Sequence, residues 1–394
     1  MVSGRGQHRI PPHVRGRRAH HRGASARCVG RSLWRSSDPF IRSTVARTGQ
    51  VPIGRGAQRA DGARRGAGAL CPGGNRASIV TPATLVVVNP ASAGGRTLRH
   101  WPDSASLLRA LGVDFEVHFT SAPDEATGAV RAALRDGATR IVSVGGDGTL
   151  NEVVNGFFDE DGTPLGAAAA LGVVPSGTGG DFRRSAGIPA APDSAVRVLA
   201  AATPRRVDAG RIDFAGGSRR YFINIADCGI GGEVVARVNR KAYKRGGVRG
   251  SAIFLRESIA ALMSFGGRPV RITVDGEATI ERMVQSVVVA NGRYFGGGMH
   301  IAPNAEIDDG RFDVVIIDAM SRARSVTSMP SLYRGTHVHR PGVEVRRAEH
   351  VVIESAGAPL LFDVEGEQVG TTPATITCLP RAIALCAPAT FGAP

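Results

Sequence analysis

Lysine is almost absent from this chain: only Lys241 and Lys244 occur among its 49 basic residues. A P-loop needs a lysine after its second glycine, and none of the glycine-rich turns has one, so that motif is excluded. The five cysteines form no CxxC pair, which indicates neither a disulfide framework nor a zinc site. No apolar run reaches the length of a membrane-spanning helix.

Acidic residues are scarce only in the first part of the chain. Residues 1–80 hold 16 Arg and no Lys against Asp38 and Asp61, and so carry +14 of the formal charge of +15. The remainder is nearly neutral, and we therefore expect no nucleic-acid partner. Residues 1–80 lack an amphipathic period, which predicts a disordered extension. No apolar stretch follows their paired arginines, so we expect no export signal and a cytoplasmic protein.

One glycine turn stands out among the motifs. The apolar run Ile141–Val144 leads into Gly145–Gly148 and then into residues at helical spacing, which predicts strand, tight turn and helix. Such a turn offers backbone N–H groups to a phosphate, and Thr149 is expected to cap the helix. Asp147 would repel phosphate unless Mg²⁺ or a bound water lay between them. An ordinary turn with a solvent-facing Asp147 is the alternative.

Two further polar turns follow predicted strands. Ser176–Phe182 comes directly after the apolar run Leu171–Pro175, and Asn89–Arg96 comes after Leu85–Val88. The carboxyl ends of parallel strands share one edge of a sheet, where open α/β sheets bind ligands. The two central turns are therefore expected to lie side by side at this edge, and Asn89–Arg96 is a third turn of the same kind.

The chain divides into two predicted domains. Residues 84–207 alternate strands and helices, which predicts an α/β domain with a mostly parallel sheet. The predicted helices are Ser104–Leu111, Asp124–Arg135 and Asp193–Ala202, and Phe115–Phe119 is a further strand. Residues 208–379 predict a β-sandwich domain. Its predicted strands are Tyr221–Ala226, Val270–Val274, Val284–Ala290, Phe312–Ile317, Val351–Glu354, Leu360–Val364 and Ala374–Cys378, and Ile383–Cys386 follows them.

A basic stretch, Arg237–Arg249, lies within the second domain and precedes the apolar helical pattern of Ala252–Phe265. The stretch fits a solvated linker, and the helix fits a place in the core. Basic residues beside an apolar helix also suit an anionic membrane surface. Both interpretations stay open.

The three turns, taken together, resemble the nucleotide motifs of the diacylglycerol kinase catalytic domain family. That family includes bacterial soluble diacylglycerol kinases, YegS-like lipid kinases and sphingosine kinases. Ile307–Asp313 and Glu365–Glu367 resemble its later motifs in the same order. The resemblance covers residues 84–390, whereas residues 1–80 have no counterpart. It implies that a nucleotide lies in the cleft between the two domains, and that the last strand, about residues 380–390, returns to the first domain.

The resemblance also implies roles for single residues. Asp147 would act through Mg²⁺ and water, and Glu367 would be the general base. A structural Mg²⁺ site would consist of Asp309 and the backbone carbonyls of Glu306 and Arg311. The implied nucleotide-binding residues are Asn89, Thr120, Gly145, Gly146, Asp147, Gly148, Thr149, Leu150, Asn151, Gly177 and Thr178.

The sequence departs from the family pattern at two positions. Gly180 stands where the family usually has Asn, and Glu365 stands where it usually has Asp. Considered alone, Glu367 and Asp309 would each fit a hairpin turn as well as a functional role.

The implied reaction is ATP-dependent transfer of the γ-phosphoryl group to a lipid hydroxyl, with diacylglycerol as the expected acceptor and phosphatidic acid as the product, a step of phospholipid biosynthesis. Such an enzyme would contact the membrane peripherally, and the resemblance leaves room for a homodimer. Two alternatives remain. NAD kinases share the Gly-Gly-Asp-Gly-Thr loop, and a non-catalytic lipid-binding relative would keep the fold without the reaction.

Overall fold

The computed structural model describes residues 83–176, 180–244, 256–257, 260–261 and 263–391, without the side chains of Asn239 and residues 241–244. All of these residues belong to one compact unit. The predicted extension of residues 1–80 lies outside the described residues. Among the helices that are described, none is long and apolar enough to cross a membrane.

The first half contains a parallel sheet in the order β2–β1–β3–β4. Its strands are β1 (Thr84–Val88), β2 (Glu116–Phe119), β3 (Arg140–Gly145) and β4 (Ala170–Pro175). The inner strands are continuous apolar runs because helices cover both faces of the sheet. These helices are α1 (Arg96–Ala110), α2 (Glu125–Arg135), α3 (Asp147–Asn155), α4 (Asp181–Ser185) and α5 (Pro192–Ala201). A short 3-10 turn, Ser92–Gly95, precedes α1, which begins eight residues before the predicted start at Ser104.

Each face of the parallel sheet has its own apolar core. Val130 of α2 and Val153 of α3 pack on one face, and Leu108 of α1 and Leu199 of α5 pack on the other. A Cβ at Gly172 of β4 would lie 2.3 Å from Leu199 Cδ1, so glycine lets α5 approach the sheet closely. Burial of each large apolar side chain contributes about 1.5–3 kcal/mol, which holds the helices on the faces of the sheet.

The second half is mainly antiparallel. Its first strands are β5 (Arg205–Phe214), β6 (Arg219–Phe222), β7 (Ile225–Gly229), β8 (Arg268–Val274) and β9 (Ile280–Ala290). A separate two-stranded sheet contains β10 (Tyr294–Phe295) and β11 (Met299–His300). The remaining strands are β12 (Phe312–Asp318), β13 (Val343–Ala348), β14 (His350–Ser355), β15 (Leu361–Val364), β16 (Glu367–Thr371) and β17 (Ala374–Leu385). The helices delimited in this half are α6 (Ile230–Lys244) and α7 (Arg322–Tyr333), and a 3-10 turn covers Thr336–His339. Residues 256–257, 260–261 and 263–264, within the predicted helix Ala252–Phe265, are also helical.

The strands of the second half fold into a sandwich around a shared core. β15 and β17 lie far apart in the order β16–β15–β7–β9–β8–β14–β17, yet residues of both belong to one apolar cluster. Phe214 of β5, which pairs with β17, meets Phe362 of β15 with ring centroids 5.4 Å apart. The predicted fold class, an α/β domain followed by a β-sandwich, is confirmed.

The strand β17 joins the two halves. It pairs with β14 and β5 in the sandwich, and its end pairs in parallel with β4 through Ala384 and Leu385. The sequence predicted two strands here, and the structure has one strand with an irregularity between Leu379 and Ile383. At this irregularity Arg381 has a φ of 53°, and its N–H donates to Asp208 Oδ1 at 2.6 Å. The chain therefore returns to the first half.

The basic stretch Arg237–Arg249 lies partly in α6 and partly outside the described residues. Val234 and Val238 of α6 pack against Ala261, so one face of this helix is covered. Arg237 lies 3.6 Å from Glu233 of the same helix. The first part of the stretch is therefore helical rather than a linker, and nothing is described for residues 245–255.

Candidate active site at the strand ends

The three polar turns lie together at the carboxyl edge of the parallel sheet. Asn89 N–H donates to Val144 O at 3.1 Å, and Ser176 N–H donates to Gly145 O at 2.8 Å. Thr120 is buried at the end of β2, beside β1. Because these backbone bonds join neighbouring strand ends, the turns that follow them meet at one place. This is the arrangement that the sequence predicted.

The first two turns are tied by a side-chain hydrogen bond. Asn89 Nδ2 donates to Thr149 Oγ1 at 3.0 Å. The prediction that Thr149 caps helix α3 is wrong, because the residue that precedes the helix is Gly146 and the Thr149 hydroxyl faces Asn89. A Cβ at Gly145 would lie 2.6 Å from Thr149 Oγ1, so this contact requires glycine. Asn89 and Thr149 thereby fix the shape of the glycine loop.

Asp147 links the second turn to the third. Its Oδ2 accepts from Gly180 N at 2.8 Å and from Asp181 N at 3.4 Å. Gly180 has a φ of 65°, which favours glycine at the position where the family usually has Asn. Gly177 and Thr178 of the same turn lie outside the described residues, so their predicted nucleotide contacts stay predictions.

Asp181 sits behind Asp147 and is buried. Its carboxylate accepts from Gly297 N at 2.8 Å and pairs with Arg184. Burial raises the pKa of Asp181, and the charge of Asp147 adds to this effect. The sequence alone indicates no separate role for Asp181, and its contacts show that it supports the edge of the cleft.

Glu367 faces the glycine loop from the other half. It is the first residue of β16 and pairs with Val364 across the hairpin. Among the described residues, a Cβ at Gly148 would have one neighbour within 4 Å, Glu367 Oε1 at 3.9 Å. The structure thus brings the predicted base and the predicted phosphate loop together across the cleft.

Glu365 holds the hairpin that carries Glu367. Its Oε1 accepts from Ile223 N at 2.6 Å and Asn224 N at 2.7 Å, and its Oε2 accepts from Asn151 Nδ2 at 3.0 Å. Burial raises the pKa of Glu365 to about 7, although these hydrogen bonds act in the opposite direction. Sequence reasoning noted this position only as a departure from the family pattern. The longer side chain connects the hairpin to helix α3 and to the β6–β7 turn.

The side chains of Leu150 and Asn151 point into the protein. Leu150 is buried in the core of the first half. Asn151 is also buried, and its amide donates to Tyr221 O at 3.0 Å as well as to Glu365. Their predicted contact with a nucleotide stays a prediction, and backbone atoms would have to make it.

The predicted structural metal site carries an ion pair. The carboxylate of Asp309 pairs with Arg347 and accepts from Arg311 N at 3.0 Å. Within the described ranges no group of three or more His, Cys, Asp or Glu side chains could hold a metal ion. The Mg²⁺ site of Asp309 with Glu306 and Arg311 therefore stays a prediction. At Asp147 a single carboxylate suffices, because Mg²⁺ usually takes one or two carboxylates together with substrate phosphates.

A cavity of about 700 Å³ begins at Asp147, Glu365 and Gly366 and continues into the second half. Its lining beyond these residues is mostly apolar. It includes Ile230, Val234, Val238, Val288, Phe295, Met299, Ile301, Ile317, Met320, Met329 and Leu332. Its volume lies in the range of ligand pockets. Sequence reasoning did not find this cavity, because its walls come from strands and helices that are distant in the chain.

Two carboxyl groups lie opposite each other in the wall of this cavity. Asp227 of β7 pairs with Asp363 of β15 across the strands. Asp227 accepts from the Ser286 hydroxyl, and Asp363 Oδ1 accepts from Gly366 N at 2.7 Å. Burial raises the pKa of Asp227 to about 7 and that of Asp363 to about 8. Each carboxyl group also disfavours ionisation of the other.

The carboxyl pair predicts a pH-dependent stability. Both pKa values lie above those of an unfolded chain, so the contribution of the pair to the free energy of unfolding falls as the pH rises from about 4 towards about 8. Asp363→Asn keeps the acceptor for Gly366 N and removes the charge. At pH 9 we expect this variant to melt at least about 4 °C above wild type. The advantage should disappear towards about pH 4.

The control for this measurement is Asp103→Asn, because Asp103 is exposed on helix α1. It should change the melting temperature little at either pH. If the melting temperature of Asp363→Asn equals that of wild type across the whole pH range, ionisation of Asp363 does not destabilise the folded protein and the prediction is wrong.

The glycine turns at the strand ends therefore open onto an apolar cavity. Comparison with known proteins identifies the family. Residues 83–212 match the Diacylglycerol kinase catalytic domain, and residues 226–387 match the YegS C-terminal NAD kinase beta sandwich-like domain. The chain belongs to the family of diacylglycerol kinases and YegS-like lipid kinases, as its motifs predicted.

Two curated relatives show how far the similarity extends. The "Probable lipid kinase YegS-like" of Stenotrophomonas maltophilia (strain K279a) is 30% identical over 314 residues, which are 79% of this chain and 98% of that protein. The "Diacylglycerol kinase" of Mycobacterium tuberculosis (strain ATCC 25618 / H37Rv) is 27% identical over 303 residues, which are 77% of this chain and 94% of that protein.

The fold is shared with a solved structure. A crystal structure of a diacylglycerol kinase from Bacillus anthracis str. Sterne matches 78% of this chain and 97% of its own, with a TM-score of 0.59 and 21% identity. At this identity the likeness concerns the fold alone. Membership of a kinase family implies the use of ATP.

Proposed function

We propose that this protein is an ATP-dependent lipid kinase that transfers the γ-phosphoryl group of ATP to the hydroxyl of diacylglycerol and forms phosphatidic acid. The observation that carries the proposal is the apolar cavity that begins at Asp147 and at the hairpin of Glu365 and Gly366. A diacylglycerol molecule with an acyl chain in this cavity would have its hydroxyl at the glycine turns. A soluble dinucleotide, the acceptor of an NAD kinase, would find few polar partners there.

The proposed mechanism assigns one task to each part of the site. The glycine loop Gly145–Thr149 holds phosphates through its backbone N–H groups, and Asp147 provides a carboxylate for Mg²⁺. When bound, Mg²⁺ and ATP supply charge neutralisation and the phosphoryl group. Glu367 takes the proton of the lipid hydroxyl as the new oxygen–phosphorus bond forms and ADP leaves. Glu365 keeps Glu367 in position.

The lipid must come from a membrane. We propose peripheral membrane contact of a cytoplasmic protein, with the lipid alcohol as its partner and without a nucleic-acid partner. A homodimer is compatible with this function.

Phosphate transfer from labelled ATP to a panel of acceptors tests the proposal. The panel contains diacylglycerol, monoacylglycerol, a sphingoid base and NAD, each with Mg²⁺. Diacylglycerol should take up label fastest. Label in NAD alone would overturn the proposal in favour of the NAD kinase alternative, and label in no acceptor would favour a non-catalytic lipid-binding protein.

Asp147→Asn is expected to weaken the Mg²⁺-dependent binding of nucleotide and to lower kcat, each by at least about tenfold. Asparagine still accepts the hydrogen bond from Gly180 N but removes the charge that faces the metal. Nucleotide affinity measured as a function of Mg²⁺ concentration checks this. Asp193→Asn is the matched control, because Asp193 also lies in the first turn of a helix. An unchanged Mg²⁺ dependence in Asp147→Asn would show that another group holds the metal.

A further inference from the structure

Helix α7 and the turn after it carry an excess of basic residues. The segment from Ala319 to Val343 contains four arginines and no Asp or Glu. They are Arg322, Arg324, Arg334 and Arg340. In the described part of the chain, none of the four forms an ion pair with an acidic side chain.

Arginines on the strands of the same half behave differently. Several of them, and arginines in the turns between strands, pair with carboxylates of the same half. The pairs are Arg271–Glu354, Arg282–Glu344, Arg311–Glu349, Arg346–Glu277 and Arg347–Asp309. The charge of the α7 segment is therefore a local excess, and it would be complemented by a partner with negative charge.

The same helix exposes large apolar side chains. Val326 is 43% exposed and Tyr333 is 50% exposed. Arg322, Val326 and Tyr333 follow one another at spacings of four and seven residues, which places them on one face of the helix. Helix α7 thus presents apolar and basic side chains to solvent together. A tyrosine beside arginines suits the interface of a bilayer, where one end of the ring is apolar and the other is hydrated.

The inner side of helix α7 forms a wall of the apolar cavity. Ser325, Ser328, Met329 and Leu332 line the cavity from this helix. The exposed residues of the lining fall into two groups. One group, with Gly297 and Gly366, lies at the glycine turns, and the other consists of Arg324, Tyr333, Arg340 and Pro341. The cavity therefore reaches the surface at helix α7 as well as at the cleft.

We propose that the α7 face, defined as Arg322, Arg324, Val326, Tyr333, Arg334 and Arg340, docks on an anionic bilayer and admits the lipid to the cavity. The proposal rests on the proposed lipid kinase function and deepens it by naming the surface through which the acceptor arrives. Arginines near an anionic surface are attracted to it, and the apolar residues between them enter the boundary of the acyl chains. None of these six residues belongs to the stretch Arg237–Arg249.

A local probe tests the docking. Tyr333→Trp is prepared in the full chain and mixed with vesicles of phosphatidylcholine whose acyl chains are brominated, with or without about 30% phosphatidylglycerol. On anionic vesicles the added tryptophan should lose about half of its emission, because docking brings it to the acyl boundary. Val326→Trp serves as a second probe of the same face. Binding by the arginine-rich residues 1–80 alone would not quench either probe.

Leu111→Trp is the control for position. Leu111 is 39% exposed and belongs to the first half, at the end of helix α1. Its tryptophan should not be quenched beyond the wild-type signal. Equal quenching of Tyr333→Trp, Val326→Trp and Leu111→Trp would overturn the proposal.

Charge reversal separates docking from catalysis. We expect two effects when Arg322→Glu/Arg334→Glu is combined with Tyr333→Trp. Most of the quenching of the added tryptophan should disappear, and activity on anionic vesicles should fall by about tenfold. Activity on a dispersed short-chain diacylglycerol should stay within about twofold of Tyr333→Trp alone, since the site is untouched. Arg99→Glu/Arg197→Glu, with two exposed arginines of the first half, is the matched control.

The two proposals can fail separately. Quenching of the α7 probes on anionic vesicles without phosphate transfer to any lipid would support docking and contradict the kinase function. Phosphate transfer to diacylglycerol with no quenching at the α7 face would support the kinase function and overturn docking there.

Discussion

Glu367→Gln is expected to lower kcat for lipid phosphorylation by about 10²–10⁴, equal to roughly 3–5 kcal/mol of barrier, and to leave ATP affinity unchanged. A lipid hydroxyl is a poor nucleophile until a base takes its proton. Glutamine keeps the size and the hydrogen-bonding reach of the side chain but lacks the basic oxygen. The nucleotide should bind as before, because the proposed mechanism assigns it to the glycine loops of the first half. Single-turnover kinetics and ATP binding measured in parallel check both parts.

Glu277→Gln is a matched control for this variant. Glu277 follows the turn Asp275-Gly276 as Glu367 follows Glu365-Gly366, but it is exposed and pairs with Arg346 at 3.2 Å. It should leave kcat within about twofold. If Glu367→Gln is folded and keeps kcat within a few-fold of wild type, Glu367 is a turn residue and the base is another group.

The parallel half of the fold could be predicted from sequence because its strands are buried on both faces. β1, β3 and β4 are short apolar runs, and each ends in a glycine-bearing polar turn. Such runs are typical of parallel strands between two layers of helices. The edge at which the turns meet follows from the direction of the strands, so Asn89, Asp147 and Gly180 could be expected together before any distance was known.

Several strands of the sandwich could not be predicted in this way. β13 has the sequence Val-Glu-Val-Arg-Arg-Ala, and β5 carries Arg206, Asp208 and Arg211 among its apolar residues. Their charged side chains are held by ion pairs and hydrogen bonds with neighbouring strands, which a single sequence does not reveal. The predicted strand Tyr221–Ala226 is divided into β6 and β7, because Ile223 and Asn224 give their N–H groups to Glu365 instead of a strand partner.

The parts of the site that lie within one turn could be predicted from the sequence. The parts formed by residues distant in the chain could not. Asp147 and its glycines are a local motif. Asn151 and Glu365 are 214 positions apart in the chain, and their contact depends on how the two halves are assembled. The apolar cavity has the same origin, since helices α6 and α7 form its walls together with strands β9 and β12.

Glu365→Ala is expected to lower kcat by about 100-fold and to reduce stability by several kcal/mol. The substitution leaves two backbone N–H groups without their acceptor and removes one of the two hydrogen bonds that the Asn151 amide donates. Each unsatisfied buried donor costs about 1–3 kcal/mol. The hairpin that carries Glu367 then loses its link to helix α3, and a displacement of about 1 Å at a reacting group can cost about 100-fold in rate. ATP affinity should change little, so the loss should appear in kcat. Thermal melting, kcat and ATP binding measure the three effects.

The pH profile distinguishes a positioning role from a loss of stability alone. In wild type the ionised Glu365 accepts from all three donors. The pKa of Glu365 is raised to about 7. Protonation replaces one accepting oxygen by an O–H group, which cannot accept from these donors in the same way, so kcat should fall as the pH falls through about 7. Glu365→Gln has no titrating group, and this limb of the profile should vanish while partial activity remains. Glu365→Asp keeps the charge on a shorter side chain and should fall between Gln and wild type in kcat at pH 8. A wild-type limb near pH 7 that persists in Glu365→Gln would assign the titration to another group and refute the positioning role.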